Sequence, residues 1–140
     1  MSDAQKPASA GRVALAVFAG LVTVVVLSTA VDAVLHATRV FPAMGQPMST
    51  PLWWLAVGYR ALFTFAGGWV AGRLAPAPRM RAAGILTALG TVLGFAGVAF
   101  AASKPELGPA WYAWAVALTG PPCSWWGGIT AARDPQGGSR

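Results

Sequence analysis

Four acidic side chains, one histidine and one cysteine are what 140 residues offer for proton, metal or thiol chemistry. A metal centre needs three or four converging ligands. A nucleophilic triad needs a base and an orienting acid beside its nucleophile. His36 and Cys123 stand alone in their kind, and no spacing suits a metal. Neither H-E-x-x-H, nor G-x-S-x-G, nor a P-loop is present. The expectation is a protein that is not an enzyme, with no catalytic residue, no metal and no cofactor. A single cysteine forms no internal disulfide, so the redox compartment cannot be read.

Charge is scarce altogether. Only 10% of residues are charged and 56% are hydrophobic, against about 25% charged in an ordinary soluble domain. Such a chain cannot coat a water-facing surface, and the solvent expected for most of it is the lipid bilayer. The net charge of +6 would suggest nucleic acid in a soluble protein. Here the basic residues sit beside apolar stretches, as membrane topology requires, and no nucleic-acid-binding motif appears. Nucleic acid is therefore not an expected partner. Alternating strands of about 10 residues, the mark of a membrane barrel, are also missing.

What the sequence does hold is four apolar stretches, at about residues 13–31 (continuing to His36), 53–71, 83–102 and 111–132. Each is near the roughly 20 residues that a helix needs to cross a bilayer, and lipid leaves no partner for an unpaired backbone group outside a helix. The fold expected is all-α, a four-helix transmembrane bundle over residues 12–134. Residues 1–11 read as a disordered cytoplasmic tail and residues 135–140 as a short C-terminal tail. The first stretch is longer than the core of a usual signal peptide and is not expected to be cleaved. Lys6, Arg12, Arg73, Arg79, Arg81, Arg133 and Arg140 flank one side, and only Arg39 and Lys104 the other. The positive-inside rule then places both termini in the cytoplasm of a multi-pass inner (plasma) membrane protein.

The second and fourth stretches share a form. Pro51-Leu-Trp53-Trp54 precedes Gly67-Gly68-Trp-Val-Ala-Gly72-Arg73, and Pro109-Ala-Trp111-Tyr112 precedes Gly127-Gly128-Ile-Thr-Ala-Ala-Arg133. Two tandem helical hairpins from a duplication would produce this. So would convergence on rim aromatics, small packing residues and an inner arginine.

Small residues let helix backbones approach closely in lipid. Gly67, Gly68, Gly72, Gly90, Gly94, Gly127 and Gly128 are the candidate packing positions, within one bundle or in a homo-oligomer or contact with another membrane protein. Pro121 and Pro122 each remove a backbone donor inside the fourth stretch and are candidate hinges, with a kink expected near residues 117–122.

Ionisable groups inside a membrane are functional candidates. Asp32 lies near the outer end of the first helix and Arg60 about two turns into the second. Antiparallel helices would bring them to similar depth as an ion pair. Ser28, Asp32 and His36 share one helix face at i, i+4, i+8, with Tyr59 at the edge of the pocket that facing stripes would form. Asp32, His36, Tyr59 and Arg60 are therefore the binding or ion-pair candidates. Cys123 reads as inert packing, and Lys104 and Glu106 as solvated loop charges.

The stretches Val31-Asp32-Ala-Val-Leu-His36, Tyr59-Arg60 with Gly67-Gly68-Trp-Val-Ala-Gly-Arg73-Leu-Ala-Pro76, and Pro122-Cys-Ser-Trp-Trp-Gly127-Gly128 resemble a group of small uncharacterised bacterial inner-membrane proteins with a GG-x-x-A-x-R signature. The resemblance covers about residues 12–134. It implies a bacterial four-helix membrane protein and supplies no activity. The small multidrug exporters are similar in size and helix count only. Their pattern wants a carboxylate near the middle of the first helix, and residues 21–25 hold none.

Two functions from different classes follow. One is a non-enzymatic structural or accessory component acting through helix packing. The other is a small proton-coupled transporter or permease using an outer-leaflet pocket of Asp32, His36 and Arg60.

Overall fold

The computed structural model describes residues 10–135. They form four α-helices: α1 (Ala10–Ala37), α2 (Thr50–Leu74), α3 (Met80–Ala102) and α4 (Ala110–Arg133), with a 3-10 turn over Pro105–Leu107. No strand occurs among the described residues. Residues 1–9 and 136–140, which hold most of the two expected tails, lie outside the described residues; Ala10 and Gly11 already belong to α1.

Proline sets several of the boundaries. Pro51 opens α2 and Pro105 the 3-10 turn, at positions where the missing N–H is no loss. Pro109 precedes α4, and Pro76 follows the extended Ala75 that ends α2. Gly108, at φ +138°, turns the chain into α4. A Cβ there would strike the Trp53 indole, so the turn needs glycine for its backbone and for the ring beside it.

At 1.5 Å per residue the helices, 28, 25, 23 and 24 residues long, run about 35–42 Å. Two of them, α1 and α3, are both long and apolar enough to cross a membrane. In α2 and α4 the aromatics, glycines and arginines dilute the apolar character. The most extensive contact in the molecule joins α2 to α4. Beyond that, α1 lies on α2 and α3 on α4, while α1 and α3 touch far less. Two hairpins thus meet along their second members.

Small residues make up most of the interior. Ala71, Ala82, Ala83 and Ala131 are fully buried, and no large side chain is. Large apolar groups point outward instead: Leu15, Phe18, Val92 and Trp126 are each 62–67% exposed. In the most apolar part of α3 only 6% of residues are buried, and in that of α1 only 28%. A water-soluble protein sorts its residues the other way.

Glycine makes the close crossings. A Cβ on Gly67 would meet the Gly20 carbonyl oxygen at 2.7 Å, joining α2 to α1. On Gly68 it would overlap the Ser124 backbone, and on Gly127 the Phe65 carbonyl. Gly72 faces Ala131 at 3.0 Å, Gly94 faces Ala117 at 3.3 Å, and Gly128 faces the Ala83 side chain. Gly90 differs from the other candidates. Nothing lies within 4 Å of its virtual Cβ, so it lines a cavity and makes no helix contact. Its G-x-x-x-G spacing with Gly94 puts two glycines on one face, but only Gly94 has a helix opposite.

Helix α4 continues unbroken through Pro121 and Pro122. The carbonyls of Ala117 and Leu118 lose their ordinary i+4 donors there. Pro121 and Gly90 border a cavity of about 260 Å³ at mid-length, to which all four helices contribute.

Candidate functional site

At the end of the bundle opposite the termini, the last turns of α1 and the first turns of α2 and α4 surround a cavity of about 280 Å³. Asp32 reaches it from α1. Its Oδ2 accepts from Arg60 Nη2 at 2.5 Å, and its Oδ1 accepts from the Tyr59 hydroxyl. The two α2 residues are consecutive, and one carboxylate ties both to α1. The Arg60 guanidinium also lies 5.8 Å from the Tyr59 ring centroid, so the cation is held on two sides. Arg60 and Asp32 retain side-chain exposures of 32% and 30%, while the Arg60 Nε is buried without a hydrogen-bond partner.

His36 sits one turn beyond Asp32 on the same face. Its Nδ1 lies 2.9 Å from the Pro42 carbonyl oxygen. A carbonyl only accepts, so Nδ1 donates, and in the neutral ring Nε2 is left as the acceptor. The same bond folds the 38–49 connection back over the cavity. Phe41 buries itself under it, 5.5 Å edge-on from the His36 ring. At the far end of the connection, Trp53 Nε1 donates to the Met48 carbonyl at 3.2 Å.

The sequence candidates Asp32, His36, Tyr59 and Arg60 therefore meet at one place. Ser28 is buried in the α1 interface. The Thr64 hydroxyl turns back to the Arg60 carbonyl at 2.7 Å and borders the mid-length cavity, away from the Asp32 cluster. Trp53, Tyr112 and Glu106 also line the cavity; the sequence marked the first two as motif aromatics and the third as a loop charge, none of them as a site residue. Tyr112 comes from α4, and only the α2–α4 packing brings it to Arg60. Glu106 is exposed, as a loop charge should be, yet the 3-10 turn sets it on the cavity rim.

No family model, curated protein or solved structure matches the chain.

The aromatics of the two P-x-W-aromatic motifs pair with one another. Trp53 stacks on Tyr112 with centroids 4.6 Å apart, and Trp54 on Trp111 at 4.9 Å. Each first aromatic of one P-x-W-aromatic motif meets the second of the other.

At the opposite end, Arg73 Nη1 donates to Asp134 Oδ2 at 2.7 Å. Arg79 Nη1 donates to the Ala131 and Asp134 carbonyls at 3.1 and 3.3 Å, capping α4. The sequence marked these arginines only as signs of topology. Because the Arg73–Asp134 pair is about one-third exposed, Asp134→Asn is expected to change stability by no more than about 1 kcal/mol. Thermal unfolding of the purified protein measures this, and a larger loss would give the pair a greater part in holding α2 to α4.

Proposed function

We propose that this chain is a bacterial multi-pass protein of the inner (plasma) membrane, with all four helices spanning and both termini in the cytoplasm. Its role is non-catalytic: a structural or accessory component that acts through helix contacts. One observation carries the reading, the reversal of ordinary burial, with alanine and glycine at most of the buried positions and most of the Leu, Val, Phe and Trp side chains outside. Only a solvent as apolar as those side chains makes that arrangement stable. All four helices exceed the roughly 30 Å of a hydrocarbon core. The duplication reading of the two hairpins gains support from the reciprocal aromatic pairs. Gly58, Gly90 and Gly97 are open, exposed positions at which a second copy or another membrane protein could approach. Crosslinking in membranes that returned only monomers, with no partner recovered, would count against the accessory role.

Topology is tested by labelling with a membrane-impermeant maleimide. In a Cys123→Ser background, Gly45→Cys and Ser103→Cys are expected to react in intact cells, and Ala77→Cys only after permeabilisation. Labelling of all three in intact cells would overturn the four-span reading, and the reverse pattern would overturn the orientation.

A second reading is favoured by the cavity at the Asp32 end: a small proton-coupled transporter or permease that uses Asp32, His36 and Arg60. A carboxylate and an imidazole acceptor at one opening are what proton coupling requires. Its test is solute-driven proton movement in proteoliposomes, present in wild type and abolished in Asp32→Asn at equal insertion.

A further inference from the structure

We infer that the cavity between α1, α2 and α4 is a binding site for a small organic ammonium ion. The inference rests on the outward-facing pocket of the second reading, and it specifies what that pocket takes.

Charge is the first argument. Two carboxylates, Asp32 and Glu106, and one guanidinium, Arg60, line the cavity. Asp32 and Arg60 neutralise each other at 2.5 Å. Glu106 forms no ion pair among the described residues, so one negative charge is left over at the rim.

Hydrogen-bond polarity is the second. Arg60 gives an Nη2 N–H to Asp32 and lies against Tyr59, and its Nε is buried. His36 Nδ1 donates to the Pro42 carbonyl, which in the neutral ring leaves Nε2 as an acceptor. Together with the Glu106 carboxylate it gives the cavity acceptors that a ligand bringing donors or positive charge would satisfy.

The walls are the third. Trp53 and Tyr112, tilted at 51° with centroids 4.6 Å apart, both line the cavity. Aromatic faces attract ammonium groups, tryptophan most strongly. A volume of about 280 Å³ corresponds to roughly nine water molecules, which suits a ligand of about ten non-hydrogen atoms. An organic anion would meet Glu106 and the bare imidazole nitrogen, and a wholly apolar ligand would leave both unpaired.

The test uses full-length protein in maltoside micelles, which contain no ammonium headgroup. Isothermal titration compares choline with its uncharged isostere 3,3-dimethylbutan-1-ol and with 3,3-dimethylbutanoate, and adds methylammonium and tetraethylammonium to span the size range. Choline or one of the other two cations is expected to bind saturably. For choline, the isostere should be at least ~10-fold weaker, reflecting the lost cation–π and Coulomb attraction, and the anion should not compete. Glu106→Gln, in an exposed turn, should weaken the cation about 3- to 10-fold without altering the elution profile. The inference is overturned if no cation binds to monodisperse wild-type protein, if the isostere binds as well as choline, or if Glu106→Gln leaves affinity unchanged. Saturable, Glu106-dependent binding without uptake into proteoliposomes would sustain the site and end the permease reading.

Discussion

Gly68→Ala and Gly127→Ala are each expected to lower the yield of folded protein more than any other single-methyl addition in this chain. A methyl on Gly68 would overlap the Ser124 carbonyl, and one on Gly127 the Phe65 carbonyl. Neither neighbour is the tip of a flexible side chain that could turn aside. Relief requires α2 and α4 to separate, and that is the most extensive contact in the molecule. Overpacking of a close-packed interior costs about 1–3 kcal/mol, and backbone obstruction belongs at or above the top of that range. Gly90→Ala is the control. Its added methyl meets nothing, and alanine gains up to about 1 kcal/mol of helix propensity over glycine. Monodisperse yield from matched membranes, followed by thermal unfolding, measures all three. Equal behaviour of Gly68→Ala and Gly90→Ala would mean that the two hairpins do not meet where we place them.

The second large effect is expected at Asp32. Asp32→Asn leaves the Arg60 cation without its counter-charge and weakens the acceptor of the Tyr59 hydroxyl. Breaking a buried ion pair from one side costs about 3–5 kcal/mol. Since about a third of each side chain is exposed here, a loss of roughly 2–3 kcal/mol is the appropriate expectation. Arg60→Gln should behave similarly, and Tyr59→Phe should cost about 1 kcal/mol, as for one hydrogen bond. The exchange Asp32→Arg with Arg60→Asp restores opposite charges across the same gap and should recover part of the yield. Singles that collapse together with a swap that rescues make the cluster a clamp between α1 and α2. Singles that fold at wild-type yield would show that these charges are not kept for stability, and would direct attention to proton or ligand binding at the same atoms.

The four helices were legible because composition alone forces them. Each apolar run is bounded by proline, glycine or arginine, and the observed ends lie within a few residues of the runs. Asp32 and Arg60 could be paired on paper because a short connection makes α1 and α2 antiparallel, which equates their depths. Tyr112 could not be read in this way. Its place beside the cluster depends on α2 packing against α4 across about 50 intervening residues, and no local pattern encodes that. Gly20 was missed although Ala16 stands one turn before it as a small-x-x-x-small pair; it lies against the Gly67 backbone. Gly90 is the converse, a residue with the right spacing and no neighbour. Spacing identifies a face, and only the partner helix decides whether that face is used.

The two ends of the bundle also differ electrically. Around Gly20, Gly67, Gly68 and Gly127 the backbones meet without room for solvent, whereas the Asp32 end opens into a cavity. In a membrane with the orientation proposed above, water in that cavity holds the Asp32–Arg60 cluster near the potential of the outer medium. The transmembrane voltage then falls mainly across the glycine contacts that separate this cavity from the opposite end. A charge moving within the cavity would feel little of the voltage, and one crossing the glycine contacts would feel almost all of it.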